Sequence, residues 1–382
     1  MSLRPSYGHY TPMVGLANAL RRAGHEVLFA TGEPLATTIR RDGFACETVG
    51  LSDAETRELR SQDATYTRLN AVPRTARMAA FSRSFAGIEL PPRVEDMRRV
   101  ARAWRPAMIV HELAEFAGPL VAALEDLPSA NHSFGPLVQA DVMAASAASA
   151  ARCWADHGLP EPERAGMYRG LYLDIVPPSL QFPHISTIPS VQRLRPIPLA
   201  LQETGPAVWL ERLGDRPVVT VTFGTVFSKQ VDLFRTVVDG LGGVDVDVIV
   251  ATGHSDVARA LSDVPANVQV REWVPWTKTL ERTAVVVSHG GASSTLGPLA
   301  FGIPIVMIPL GADHFTNAEV TAKAGVAIVL DAESVTSEEV RESVQAALRG
   351  PMRDAARRVA DEIAQMPTPE AVVDVLEAFA TR

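Results

Sequence analysis

The amino-acid sequence predicts an α/β protein of two domains, each built on a parallel sheet. Three observations carry that reading. Helical and strand patterns alternate from end to end, as helix crossovers between parallel strands require. The chain has 382 residues, more than a single hydrophobic core commonly serves. Residues 183–206 hold Pro183, Pro189, Pro196, Pro198 and Pro206 without apolar periodicity, the pattern of a linker. The expected domains are therefore 1–200 and 207–382.

The elements follow in order. Met13, Leu16, Ala17 and Leu20 recur at helical spacing, and Gly24 stands where a helix end favours positive φ. His25 to Ala30 then reads as a strand, as does Arg105 to Val110, which leads to a helix over Phe116 to Leu124. Beyond the linker come strands at Val218–Phe223, Val246–Ala251, Val268–Trp273, Ala284–Ser288, Ile305–Ile308 and Ala327–Leu330. The tail from Thr368 to Phe379 reads as a capped amphipathic helix with Pro369 at its first position. One position resists the pattern. A Rossmann-like first domain needs a central strand before its first helix, yet only Met1 to Tyr7 precede Gly8-His9. Met-Ser-Leu-Arg-Pro is short and poor in β-branched residues, so a truncated first strand is expected there.

Composition narrows the function. Hydrophobic residues make up 47% and charged residues 21%, values of an ordinary globular protein. A net charge of −8 disfavours polyanion partners such as nucleic acid. Cys46 and Cys153 are the only cysteines, so neither a disulfide framework nor a cysteine-rich metal site is expected. No secretory leader or membrane span is visible, and a cytoplasmic location is expected.

The strongest chemical signal is the run Val285-Val-Val-Ser-His289-Gly290-Gly291-Ala292-Ser293-Ser294-Thr295. A buried strand enters a glycine-rich turn and then a hydroxyl-rich helix start. Glycines admit a ligand close to the backbone, and free N–H groups with the helix dipole attract phosphate. Taken alone, the segment also suits an ordinary βα turn. Near the N-terminus, His9 sits in Gly8-His9-Tyr10-Thr11-Pro12, where an imidazole can serve as a general base or simply cap a helix. The signatures G-x-G-x-x-G after a strand, G-x-x-x-x-G-K-[ST] and G-x-S-x-G do not occur.

These segments, with Trp273-Val274-Pro275 and Gly311-Ala312-Asp313-His314-Phe-Thr-Asn317, resemble family 1 glycosyltransferases of the GT-B fold, in particular bacterial enzymes that decorate antibiotics and related natural products. The resemblance runs over nearly the whole chain. It implies two Rossmann-like domains facing a cleft, the first for the acceptor, the second for the nucleotide-sugar, with the C-terminal helix returning to the first. By position it assigns His9 as base and Glu112 as its orienting carboxylate, where relatives often carry Asp and where His111 is a neighbouring rival. It assigns Trp273, with Val274, to the nucleobase; Gly224 and Thr225 to a phosphate-side loop; His289, Gly290, Gly291, Ser293, Ser294 and Thr295 to the diphosphate; and Asp313 and His314 to the donor sugar. Trp273 also suits a core strand end, and Glu112 a solvated one.

Two departures stand out. Trp276 replaces a common Gln after W-x-P, and Gly297 stands where many relatives using UDP-sugars carry Glu, which points to a TDP-sugar. The implied reaction is metal-independent, inverting transfer of a deoxy sugar to a small apolar acceptor lined by residues around 55–92 and 131–180. The nucleotide-sugar is a substrate, so no cofactor is expected, and a homodimer is compatible with the sequence. A sugar-nucleotide epimerase and an inactive accessory protein of the same fold are the alternatives.

Overall fold

The structure is a computed structural model that describes residues 1–72, 77–197, 208–211, 213–225 and 230–381. The chain divides into two units: Met1–Ile175 with Phe182–Leu194 and Pro367–Arg382, and Val176–Gln181 with Arg195–Met366. Part of the proline-rich stretch read as a linker is thus structured in the first unit, while residues 198–206 lie outside the described residues.

In the first unit, β1 (Leu28–Thr31) pairs in parallel with β2 (Ala45–Thr48). The strands β3 (Ile109–Glu112), β4 (Ser129–His132), β5 (Leu171–Asp174) and β6 (Val191–Arg193) form a parallel run in that order. Between the two groups lie Met1 to Leu3. Ser2 bridges in parallel to Ala30 on one side and His111 on the other. Ser2 N–H donates to the Val110 carbonyl at 2.8 Å, and Ala30 N–H donates to the Met1 carbonyl at 2.8 Å. This corrects the expectation that the opening residues cannot serve as a buried strand. Leu3 is fully buried and Ser2 nearly so. Flanking strands supply backbone partners on both sides, and that context overrides weak β propensity.

Arg4 and Arg93 fasten this segment from beneath. Arg93 donates to the Leu3 carbonyl, to the Val49 carbonyl at 3.1 Å and to the buried Glu115 carboxylate. The Arg4 guanidinium pairs with Glu89, which also accepts from Arg60 at 2.7 Å. Buried charges survive only when paired in this way.

The helix Tyr7–Arg22 follows, with Pro12 inside it rather than before it. The helix Pro369–Ala380 packs against it, capped by Thr368, whose hydroxyl accepts from Ala371 N–H at 3.3 Å. Glu370 pairs with Arg22, and Glu377 accepts from His25 at 2.8 Å.

The second unit carries six parallel strands: β7 (Val218–Thr222), β8 (Asp247–Ala251), β9 (Val268–Arg271), β10 (Thr283–Ser288), β11 (Ile305–Met307) and β12 (Ala327–Val329). Their order is β12-β11-β10-β7-β8-β9. Val285, Val286 and Val287 are all fully buried, because helices cover both faces of such a sheet. The direction of winding reverses between β7 and β10, which end side by side at Thr222 and Ser288. In the first unit it reverses between the Met1–Leu3 segment and β3. Ligands of open α/β sheets bind beyond the strand ends at such reversals.

Candidate active site

The reversal in the first unit brings together His9, from the first turn of its helix, and Glu112, the last residue of β3. His9 Nδ1 lies 2.9 Å from Glu112 Oε1. The carboxylate is wholly buried, whereas a fifth of the imidazole side chain reaches solvent (21%). Burial alone would raise the Glu112 pKa. His9 and the N–H groups of Ala114 and Arg4 outweigh it and hold the carboxyl below its ordinary range. An ionised Glu112 can only accept, so the His9 nitrogen facing it, Nδ1, is the donor. Phe134 packs against the same ring at 4.6 Å between centroids, tilted by 50°. Motif reading missed Phe134, because one aromatic after a polar strand carries no local signal.

The rival His111 points elsewhere. Successive strand residues face opposite sides of a sheet, and His111 lies against Gly118, where even an added Cβ would come within 2.4 Å of its Cβ. Desolvation lowers its pKa to about 4. On β4, in register with Glu112, His132 is equally buried and is lowered to about 4 for the same reason, while its Nδ1 lies 2.6 Å from the Ser133 carbonyl.

In the second unit, Ser288 ends β10 and the chain turns through His289, Gly290 and Gly291 into the helix Ala292–Ala300. Gly290 has φ of +84°, a conformation that favours glycine. The His289 imidazole lies in a notch between two glycines. A Cβ on Gly224 would meet its Nε2 at 2.8 Å, and one on Gly291 would meet it at 2.6 Å. No side chain caps the helix start, so its first N–H groups keep their capacity for an anion. Ser294 turns its hydroxyl back to the Gly291 carbonyl at 3.0 Å, which removes it from the expected set of free donors. Ser293 is half-buried in the first turn. Thr295 Oγ1 is buried with no hydrogen-bond partner among the described residues.

His314 meets His289 edge-on at 4.5 Å. Its Nδ1 accepts from the N–H groups of Leu310 and Gly311, both at 3.2 Å, which places the proton on Nε2. Burial lowers the His289 pKa to about 4 and drives His314 further down, with His289 as a second cause. Both rings are therefore neutral at pH 7. Asn317 joins the parts, donating to the Gly290 carbonyl at 2.8 Å and to Asp313 Oδ2 at 3.0 Å. Ala312, just before Asp313, has φ of +52°, a strained state for a non-glycine residue. Thr225 offers its carbonyl to His254 at 3.1 Å.

Trp273 lies beyond the end of β9 and is 58% exposed, which excludes the core reading of that indole. Val274 turns the other way, into a cluster with Leu210, Leu213, Val218 and Ile249. Its side chain is partly buried against that cluster. Among the described residues, no group of three or more His, Cys, Asp and Glu could hold a metal ion, and no helix is long and apolar enough to cross a membrane.

Two doubly wound parallel sheets are the architecture of a GT-B protein, and the relatives show that the class is glycosyltransferase. L-demethylnoviosyl transferase of Streptomyces niveus is 30% identical over 98% of this chain and 96% of its own. The glycosyltransferase SnogD from Streptomyces nogalater superposes with a TM-score of 0.80 at 28% identity, over 99% of this chain and 98% of that one. The spinosyn rhamnosyltransferase SpnG, solved with thymidine diphosphate, superposes with a TM-score of 0.78 at 26% identity, over 98% and 99%. The chain belongs to the erythromycin biosynthesis protein CIII-like family, matching its N-terminal domain over residues 18–224 and its C-terminal domain over 235–379. It is a glycosyltransferase of natural-product type.

Proposed function

We propose that the enzyme moves a deoxy sugar from a thymidine diphosphate donor to a small apolar acceptor, with inversion at the anomeric carbon. The carrying observation is the His9–Glu112 pair: a partly accessible imidazole backed by one buried carboxylate. In the proposed step, His9 Nε2 takes the acceptor proton as the acceptor atom bonds to the anomeric carbon. The bond from that carbon to the diphosphate oxygen breaks on the opposite side. Glu112 stays ionised and stabilises the imidazolium that forms. A single displacement of this kind inverts the centre.

The first unit holds the acceptor in this reading, with Phe134 as part of its apolar wall. The second unit holds the donor. Trp273 offers its exposed face to the base, and the first-turn N–H groups with Ser293, Thr295 and His289 meet the diphosphate. Asp313 and His314 take the sugar hydroxyls, fixed in place by Asn317 and the Leu310–Gly311 backbone. A donor with a thymidine base is favoured because Gly297 supplies no acceptor for a ribose 2′-hydroxyl, and because the related SpnG was solved with thymidine diphosphate.

Incubation of the enzyme with a TDP-deoxysugar and a panel of aromatic polyketide and macrolide aglycones tests the proposal. The expected outcome is a glycoside of opposite anomeric configuration, read by nuclear magnetic resonance. A product of retained configuration would overturn the single displacement. Epimerised donor without transfer would replace the function altogether.

A further inference from the structure

Glu112 is tied to the interior of the first unit by two lines, and both end on Arg93. Arg93 stands on the helix Leu90–Trp104 and is 3% exposed. Each of its three guanidinium nitrogens has its own acceptor: Nε the Glu115 carboxylate, Nη1 the Val49 carbonyl, and Nη2 the Leu3 carbonyl. The Leu3 carbonyl and the Arg4 N–H are opposite ends of one planar peptide. That N–H donates at 3.0 Å to Glu112 Oε1, the oxygen that lies 2.9 Å from His9 Nδ1. The first line thus runs from guanidinium through peptide and carboxylate to the imidazole. The second runs through Glu115, whose N–H donates to the Glu112 carbonyl at 3.0 Å. Glu115 is itself wholly buried, its second oxygen accepting from Ala117 N–H at 3.0 Å. The chain makes room for the guanidinium at Gly50, where a Cβ would come 3.0 Å from Nη1.

Stability gives little reason for this arrangement, because a buried ion pair is often no better for a fold than apolar residues of the same volume. Orientation gives a better one. A peptide is rigid, so a donor held on its carbonyl fixes the direction of its N–H. A charged donor there also polarises the peptide and strengthens the bond on its far side. The Arg4 side chain, paired with Glu89, secures the flank of the same peptide. We propose that Arg93 is a positioning residue for the transfer step: it fixes the Glu112 carboxylate and, through it, the tautomer and aim of the His9 ring. The inference rests on His9 being the base. The task needs three donors aimed apart in one plane, which the single nitrogen of a lysine cannot supply.

The test compares the full-length parent with R93K, H9A and R93K/H9A. R93K keeps the positive charge opposite Glu115 but loses the planar fork. Heteronuclear NMR at pH 8 on protein with labelled histidine reads the tautomer, and H9A identifies the His9 signal. The parent should show His9 protonated on Nδ1 alone; R93K should show a mixture of the two tautomers. With a TDP-deoxysugar and the aglycone that turns over fastest, R93K should lower kcat roughly 10- to 100-fold, the scale of a small misplacement at a reacting group. The acceptor KM and the TDP affinity should stay within about twofold. In the H9A background, R93K should cost less than about twofold more, since its effect passes through the imidazole. R93M/E115Q removes both charges and leaves none buried alone, so it carries the test if R93K fails to fold. It should reproduce the tautomer mixture at the parent's melting temperature. A folded variant with the parent's tautomer and kcat would overturn the inference, as would an equal loss in the H9A background. If H9A kept full activity while the His9 tautomer still followed Arg93, the base reading would fail. It would take the role in transfer with it, although the line from Arg93 to His9 would stand.

Discussion

The first unit ends its central strands in a buried carboxylate against an imidazole; the second ends its own in glycines, hydroxyls and two imidazoles that burial keeps neutral. Both sites stand at the reversal of a parallel sheet, so topology does not separate them. Electrostatics does. In the proposed reaction the group that takes the proton has a fixed negative neighbour: three hydrogen bonds hold Glu112 ionised beside His9. The diphosphate cradle proposed for the second unit would rest on dipoles, which avoid the cost of burying a cation. One sheet scaffold supports either chemistry because the difference lies in the residues just past the strand ends.

The sharpest way to break this comparison is His9→Ala. The expected loss is about 10²- to 10⁴-fold in kcat, with TDP affinity unchanged, because the nucleotide is assigned to the other unit. Glu112→Gln keeps the shape and loses the charge, so it should lower kcat less. The double variant should fall well short of the product of the two losses, since both act on one proton. If His9→Ala kept full activity, the first unit would hold no base. Trp273→Ala comes next and reports on the other half. Removing an exposed indole should weaken TDP by roughly 1–3 kcal/mol in calorimetry and leave the melting temperature unaltered. Unchanged affinity would show that the base lies elsewhere.

Much of this was legible in the sequence, and the gaps have physical causes. The long buried strands of the second unit declare themselves: Val285 to Val287 can only be a strand covered on both faces. β2, β4, β5 and β6 do not. β4 is Ser-Ala-Asn-His, fully buried yet without apolar periodicity, because its polar side chains are accommodated by tertiary neighbours that no local window contains. The Met1–Leu3 strand fails for the same reason, being specified by Ala30 and His111 rather than by itself. At the sites, His9 and the glycine turn could be read because spacing along the chain encodes them. Phe134 and Asn317 could not, since only the fold brings them to His9 and Gly290. The sequence also could not tell which hydroxyls were already engaged, as Ser294 is with Gly291.

The smallest expected effect is the most direct check on neutrality in the second unit. A TDP-sugar carries the same diphosphate charge across the working pH range, so any pH dependence of its affinity reports on the protein. Burial lowers the His289 pKa from 6.5 to about 4 and leaves His314 lower still. Between pH 8 and 5.5 neither ring gains appreciable charge, and affinity should vary by no more than about twofold. Below about pH 5 the sign is set by charge: protonation places a cation beside an anion, so binding should tighten, and bound diphosphate should draw the imidazole pKa upward. Stability runs the other way. These histidines titrate near 6.5 when unfolded and near 4 or lower when folded, so the unfolded chain binds more protons in that window, and the melting temperature should fall as pH drops through it. Calorimetric titrations on protein verified as folded at each pH separate the two trends. A tenfold gain in affinity between pH 8 and 6 would mean that an imidazolium already faces the diphosphate. The contrast between a fixed negative charge beside His9 and neutral imidazoles in the second unit would then fail.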